Sequence, residues 1–362
     1  MRMVRLDSSV YAKRRARILD GMPDGSAMLL PTSPERVRSN DTHYPFRPAS
    51  DFYYVTGFSE PEAWAVLRKG LEGPSYVLFV QPKDPEREVW TGIRTGVEGA
   101  QEVFLADAAF SIDDLDKELA ELLAPAERLY FAFGRQPEVE GRVNTILNKL
   151  RAGRKAELGP AAIEDSAKFL SEYRLIKSKE ELQVMREGAR ITGLAHCLAM
   201  DQARPGVFEY EIESLLAHTF RRHGANGWAY PSIVGGGANA CILHYVDNNA
   251  AFGENDLVLI DAGAEVDRYA TDVTRTFPVS GRFTPAQAEL YQAVLEAQNA
   301  AIEAVKPGTT LQDIHDGVLR NLSSSMIELG LLSGSVDEIL ENAEYKRFYM
   351  HRTSHWLGLD VH

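Results

Sequence analysis

The sequence predicts an α/β domain followed by a second domain of helices and strands built from two similar halves. Three observations predict it. Strand-length apolar runs alternate with helical segments over the first half of the chain. The pattern changes near residue 175, where a capping box opens a strongly helical stretch. A basic-Pro-Gly turn between two helices then occurs twice, at an offset of 102 residues.

In chain order, residues 10–19 read as a helix. Residues 27–31, 76–80 and 129–133 are apolar runs of strand length, each bounded by Gly, Pro or charge. Ser178-Lys179-Glu180-Glu181 is the capping box, and Leu182, Met185 and Ala189 follow at helical spacing. The domain boundary is expected between residues 165 and 177, giving domains 1–172 and 173–362. Arg204-Pro205-Gly206 followed by Tyr210-Glu211-Ile212 is matched by Lys306-Pro307-Gly308 followed by Gln312-Asp313-Ile314. A repeat of this length suggests two pseudo-symmetric halves sharing one sheet, although Pro-Gly turns before helices are also common in unrelated chains. Thr284, Pro285 and Gln287 supply the cap, first-turn proline and box of a further helix that runs to Lys306-Pro307-Gly308.

The chain has 362 residues, 44% hydrophobic and 25% charged, with net charge −13. This is enough for two cores, and the acidic balance disfavours nucleic acid. Cys197 and Cys241 make no disulfide framework and are expected as buried small residues in a reducing compartment. The first 20 residues lack the apolar stretch of a signal peptide, and no 18-residue apolar run exists. A cytoplasmic protein without a membrane span is expected.

The chemistry concentrates in residues 256–278. An apolar run ends at Asp261, and Tyr269-Ala270-Thr271-Asp272-Val273-Thr274-Arg275-Thr276 reads as a returning strand. A buried carboxylate is costly unless paired or bound to a cation, and two on adjoining strands repel. A divalent metal resolves this, whereas turn capping or pairing with Arg268 or Arg275 is the plainer alternative. Three of the nine histidines, His351, His355 and His362, fall in the last twelve residues among small, aromatic and apolar neighbours. His244 follows the flexible Gly235-Gly236-Gly237, which lacks the Lys-Ser/Thr of a phosphate loop. Nucleotide binding is therefore excluded.

The strings Tyr230-Pro231-Ser232-Ile233-Val234, Ile242-Leu243-His244-Tyr245, Asp261-Ala262-Gly263-Ala264-Glu265, Thr271-Asp272-Val273-Thr274-Arg275-Thr276 and Ser354-His355-Trp356-Leu357-Gly358-Leu359-Asp360-Val361-His362 resemble the catalytic domain of the aminopeptidase P family. In the first half, Arg47-Pro48-Ala49-Ser50-Asp51-Phe52-Tyr53-Tyr54-Val55-Thr56-Gly57-Phe58 and Val89-Trp90-Thr91-Gly92 resemble that family's N-terminal domain. The resemblance runs from near residue 10 to the last residue. It implies an α/β N-terminal domain and an α+β pita-bread catalytic domain, a pseudo-two-fold curved antiparallel sheet flanked by helices, shared with prolidase, methionine aminopeptidase and creatinase. It also implies an enzyme that releases the N-terminal residue of peptides with proline second.

Two divalent ions, usually manganese, serve such enzymes, held by two aspartates, one histidine and two glutamates. Asp261, Asp272 and His355 fall on the first three positions, with Asp272 bridging both ions. His244, His351 and His362 fall where the scissile carbonyl is polarised, and Trp90 where a neighbouring subunit's active site is approached. A hydroxide bridging the two ions is the implied nucleophile. Dimers or tetramers are implied. The family's two glutamates and a nearby arginine follow the His355 motif and fall outside these 362 residues. The catalytic domain is thus incomplete in its last strands, and weak metal retention and low activity are expected of this polypeptide. A segment lost or disordered, a deliberate truncation and a naturally short pseudoenzyme are the competing accounts. Intact Asp261, Asp272 and His355 favour the first two, and a measured mass above 40.2 kDa would restore the absent ligands. Prolidase and a metal-free peptide-binding scaffold are the alternative functions.

Overall fold

The structure, a computed structural model, describes residues 4–152 and 158–362. They form two compact units, Val4–Val184 and, in the second half, Met185–His362.

The first unit contains helices α1 (Ser8–Gly21), α2 (Ser50–Thr56), α3 (Pro85–Thr91), α4 (Gly96–Glu102), α5 (Leu115–Leu123), α6 (Pro137–Arg151) and α7 (Ser166–Leu175). Its strands are β1 (Ser26–Pro31), β2 (Val37–Ser39), β3 (Thr42–His43), β4 (Trp64–Lys69), β5 (Tyr76–Val80), β6 (Ala108–Ser111), β7 (Arg128–Tyr130) and β8 (Ala162–Glu164). Six strands make one mixed sheet in the order β6-β5-β4-β1-β7-β8, and β2 and β3 make a small ribbon. The strands β1, β4 and β5 are buried on both faces, which explains why β1 and β5 read as continuous apolar runs. Leu29, Val66 and Phe79 meet Leu115, Leu119, Ile146 and Leu147 of α5 and α6 on one face. The α1 and α2 helices contact β4, and α2 also contacts β1. The strand expected over residues 129–133 stops at Tyr130, and Phe131 and Phe133 turn to pack edge to face at 4.7 Å.

The second unit is entered through α8 (Lys179–Gln202), followed by α9 (Glu209–Arg222), α10 (Pro285–Ala304), α11 (Leu311–Glu328) and α12 (Val336–Glu341). Its strands are β9 (Gly227–Trp228), β10 (Ile233–Gly236), β11 (Leu257–Asp261), β12 (Ala264–Val266), β13 (Tyr269–Ala270) and β14 (Thr274–Pro278). They form two antiparallel three-stranded sheets, β10-β11-β14 and β13-β12-β9. The helix–turn–helix pairs α8–α9 and α10–α11 carry the two copies of the repeat. Both capping boxes exist, with Ser178 and Thr284 accepting from Glu181 and Gln287. No helix among the described residues is long and apolar enough to cross a membrane.

Three expectations are corrected. Residues 269–276 are two strands in different sheets, broken at Thr271-Asp272-Val273. The break arises because the chain there bonds back to the Asp261 turn: Thr271 N–H donates to Ala264 O at 3.1 Å, and Ala262 N–H to Val273 O at 3.1 Å. Cys197 and Cys241 are both exposed, on α8 and on the turn Gly237–Cys241. The buried face of α8 is Glu181, Val184, Gly188, Ile191, Thr192, Ala195, His196 and Ala199 rather than the Leu182, Met185 and Ala189 stripe. Polar members of that face are tolerated because they find partners: Glu181 pairs with Arg14 at 3.2 Å, and Thr192 and His196 bond to the site described below.

Candidate metal centre

Three pieces of chain meet at the end of β11. Asp261 is the last residue of this central strand, in register with Ile233 of β10 and Thr274 of β14. Gly263 follows, and a Cβ there would collide with the Thr271 carbonyl, so only glycine lets the two chain segments approach this closely. Asp272 lies in the break between β13 and β14. The segment carrying His355 is docked beside it: Ala270 N–H donates to Gly358 O at 2.7 Å, and Leu359 is buried.

The Tyr230 hydroxyl lies between the two carboxylates, 2.5 Å from Asp261 Oδ1 and 2.8 Å from Asp272 Oδ1. Burial and the neighbouring Asp272 push the Asp261 carboxyl above its ordinary range, against the lowering effect of the tyrosine bond. Burial and both carboxylates push the Tyr230 hydroxyl up as well, so it stays a neutral donor. His355 Nε2 is 3.0 Å from Asp272 Oδ2, and its Nδ1 is 2.8 Å from Trp356 O. The His362 ring lies 4.5 Å from that of His355. Arg268 pairs with Glu265 at 3.3 Å, and Arg275 donates to Thr274 O at 2.8 Å.

Behind this cluster, α8 presents two side chains one turn apart. The Thr192 hydroxyl accepts from Ala264 N–H at 3.0 Å and lies 2.7 Å from Thr271 Oγ1, which donates to Ala264 O at 2.8 Å. His196 Nε2 donates to Ala262 O at 3.1 Å, its Nδ1 is buried without a partner, and burial holds its pKa below the ordinary value.

Among the described residues, no three His, Cys, Asp or Glu side chains are gathered as a ready metal shell. The contacts instead form a chain, Asp261 to Tyr230 to Asp272 to His355. Its chemistry suits a divalent cation. One hydroxyl proton satisfies one oxygen at a time, so two partly buried carboxylates are left short of positive charge. With Nδ1 held at 2.8 Å from Trp356 O, the His355 ring turns its Nε2 toward Asp272, an orientation suited to a shared cation. Oxygen and imidazole donors fit manganese or zinc.

Other expected residues are placed apart from these contacts. His244 is exposed on a loop after Gly237–Cys241. His351 is exposed, donates from Nδ1 to Arg352 O at 2.7 Å and lies 4.9 Å from the Tyr349 ring. Trp90 belongs to the first unit, near the end of α3, and is 87% exposed. Thr353, Ser354 and Trp356 line a groove of about 940 Å3 against α10 and α11. Tyr230, Thr192 and His196 escape sequence reasoning as site residues. Only Tyr230 lies in a recognisable string, and its role depends on partners 31 and 42 residues away.

Residues 183–362 match metallopeptidase family M24, and residues 11–130 match the aminopeptidase P N-terminal domain. The Xaa-Pro aminopeptidase of Escherichia coli (strain K12) is 42% identical over 362 residues, 99% of this chain and 82% of that protein. The structure of Pseudomonas aeruginosa aminopeptidase PepP superposes with TM-score 0.97 at 44% identity, covering 99% of this chain and 82% of that one. A zinc-substituted E. coli aminopeptidase P in complex with product superposes with TM-score 0.96 at 42% identity, with the same coverage of 99% and 82%. The fold class is accordingly an α/β N-terminal domain followed by a pita-bread domain. With both domains matched in order and the alignments spanning nearly every residue, the chain belongs to the aminopeptidase P family of M24 metallopeptidases.

Proposed function

We propose that this chain hydrolyses the bond between the N-terminal residue and a following proline in peptides, using divalent cations held by Asp261, Asp272 and His355. The observation that carries the reading is the continuous contact of Asp261, Tyr230, Asp272 and His355. Two manganese ions are the proposed complement. Such cations supply Lewis acidity and lower the pKa of coordinated water toward neutrality.

The protein's own residues do the rest. Tyr230 holds the two aspartates in a fixed relation, and Trp356 O fixes the His355 tautomer. His244, His351 and His362 donate to the scissile carbonyl oxygen as negative charge develops on it. Proline at the second position has no amide hydrogen and a fixed φ, so a site shaped for its ring needs no acceptor there. Trp90 is proposed to act at a neighbouring subunit, in a homo-oligomer located in the cytoplasm.

Hydrolysis of Arg-Pro-Pro compared with Ala-Pro, with and without micromolar manganese, tests the reading. Release of arginine from the tripeptide in a manganese-dependent reaction is expected. Cleavage of the dipeptide alone would establish a prolidase, and calorimetry showing no manganese binding would establish a scaffold.

A further inference from the structure

We propose that Glu209 is a positioning residue for His244, a buried carboxylate that fixes the loop on which this histidine is displayed. The proposal rests on the catalytic reading of His244 given above.

Glu209 has no exposed surface, yet it carries a carboxylate at the first residue of α9. Its oxygens accept four hydrogen bonds, all from one stretch of chain. Oε1 accepts from Gly236 N–H at 2.9 Å and Asn239 Nδ2 at 3.1 Å. Oε2 accepts from the Tyr245 hydroxyl at 2.7 Å and Ala250 N–H at 2.9 Å. These donors bracket residues 236–250, with His244 next to Tyr245. Burial alone would raise this carboxyl, but the four bonds outweigh it and hold its pKa below the ordinary value. Glu209 N–H also donates to Ala250 O at 2.9 Å, closing the far end of the loop on the same residue.

The loop has little else to hold it. Ile242, Leu243, His244 and Val246 are exposed, whereas Tyr245 and Asn248 are buried anchors. Asn248 ties the loop to the start of β10 through Val234 N–H and Ser232 O. Tyr245, the anchor beside His244, is therefore set by the Glu209 carboxylate.

Helix capping does not account for Glu209. Glu211 performs that task by accepting from Phe208 N–H at 2.9 Å. The second copy of the repeat keeps the capping acid, since Asp313 accepts from Thr310 N–H at 2.9 Å. At the position equivalent to Glu209 it carries Leu311. The acid is thus special to the half of the repeat that bears the His244 loop.

Steady-state kinetics on Arg-Pro-Pro with Glu209→Gln, Tyr245→Phe, His244→Ala and the double variants test the proposal. The Gln amide cannot accept four bonds, and Tyr245→Phe removes one donor while leaving the carboxylate, so it serves if Glu209→Gln fails to fold. Each is expected to lower kcat/KM by roughly tenfold or more, as losses of orienting partners do. Combined with His244→Ala, neither should cause further loss, because both act through the same side chain. Manganese affinity should stay within about twofold of the parent, since the donors lie elsewhere. Multiplicative losses in the double variants, or unchanged kcat/KM in both Glu209→Gln and Tyr245→Phe, would overturn the proposal. Unchanged kcat/KM in His244→Ala would remove the catalytic reading and the positioning role with it, a failure recognised from that single variant.

Discussion

The Tyr230 hydroxyl stands between two carboxylates that would otherwise face each other with burial raising the proton affinity of one of them. Nothing in a sequence marks a tyrosine for this task, because hydroxyl partners 31 and 42 residues away have no periodicity to detect. The two aspartates were legible for the opposite reason: a carboxylate that closes an apolar run, as Asp261 does, or sits among β-forming residues, as Asp272 does, is anomalous. His196 was hidden too, since a lone histidine within a helix reads as ordinary. Its burial lowers its pKa from the ordinary 6.5, so the folded protein refuses a proton that the unfolded chain accepts. The sign follows. Its contribution is complete above pH 6.5 and is lost as pH falls from 6.5 through the folded value. His196→Gln keeps a donor for Ala262 O without titrating. Urea midpoints between pH 7 and 5 should fall for the parent and fall less for the variant, and equal slopes would remove His196 as the cause.

At the scale of elements, α8 is the clearest case of a helix whose existence was legible and whose orientation was not. The capping box fixed its start, but Leu182, Met185 and Ala189 suggested a face about one position away from the true one. The buried face carries Thr192 and His196 because they complete backbone groups of the Asp261 turn and the Asp272 break. The two threonine hydroxyls form a closed relay: Ala264 N–H donates to Thr192, Thr192 to Thr271, and Thr271 to Ala264 O. Thr192→Val has the same shape and removes the middle link, leaving a buried N–H without a partner. This should cost about 1–3 kcal/mol in urea unfolding. Thr192→Ser restores the hydroxyl at the expense of one methyl and should recover most of the loss. Equal destabilisation by Val and Ser would mean that packing, not the relay, is what α8 contributes. The break at Thr271-Asp272-Val273 was illegible for a related reason. Its β-forming residues favour a strand, and only the bonds back to residues 262–264 divide it.

At the scale of the whole molecule, the charge of −13 sets how metal binding must be measured. An acidic protein gathers divalent cations in its ion atmosphere, so any such salt shifts its melting temperature through non-specific screening. A specific site adds a second contribution, RT ln(1 + [L]/Kd), of about 2.7 kcal/mol when free metal is about 100 times Kd. The two are separable because the first depends on net charge and the second on the donor set. Asp272→Asn changes net charge by a single unit but removes the carboxylate that touches both Tyr230 and His355. Manganese at fixed ionic strength should therefore raise the melting temperature of the parent more than magnesium does, because His355 supplies an imidazole that manganese accepts more readily. In Asp272→Asn the two salts should give the same small shift. A manganese-specific shift that survives this substitution would place the bound ion away from Asp272 and break the link between the acidic cluster and metal-dependent hydrolysis.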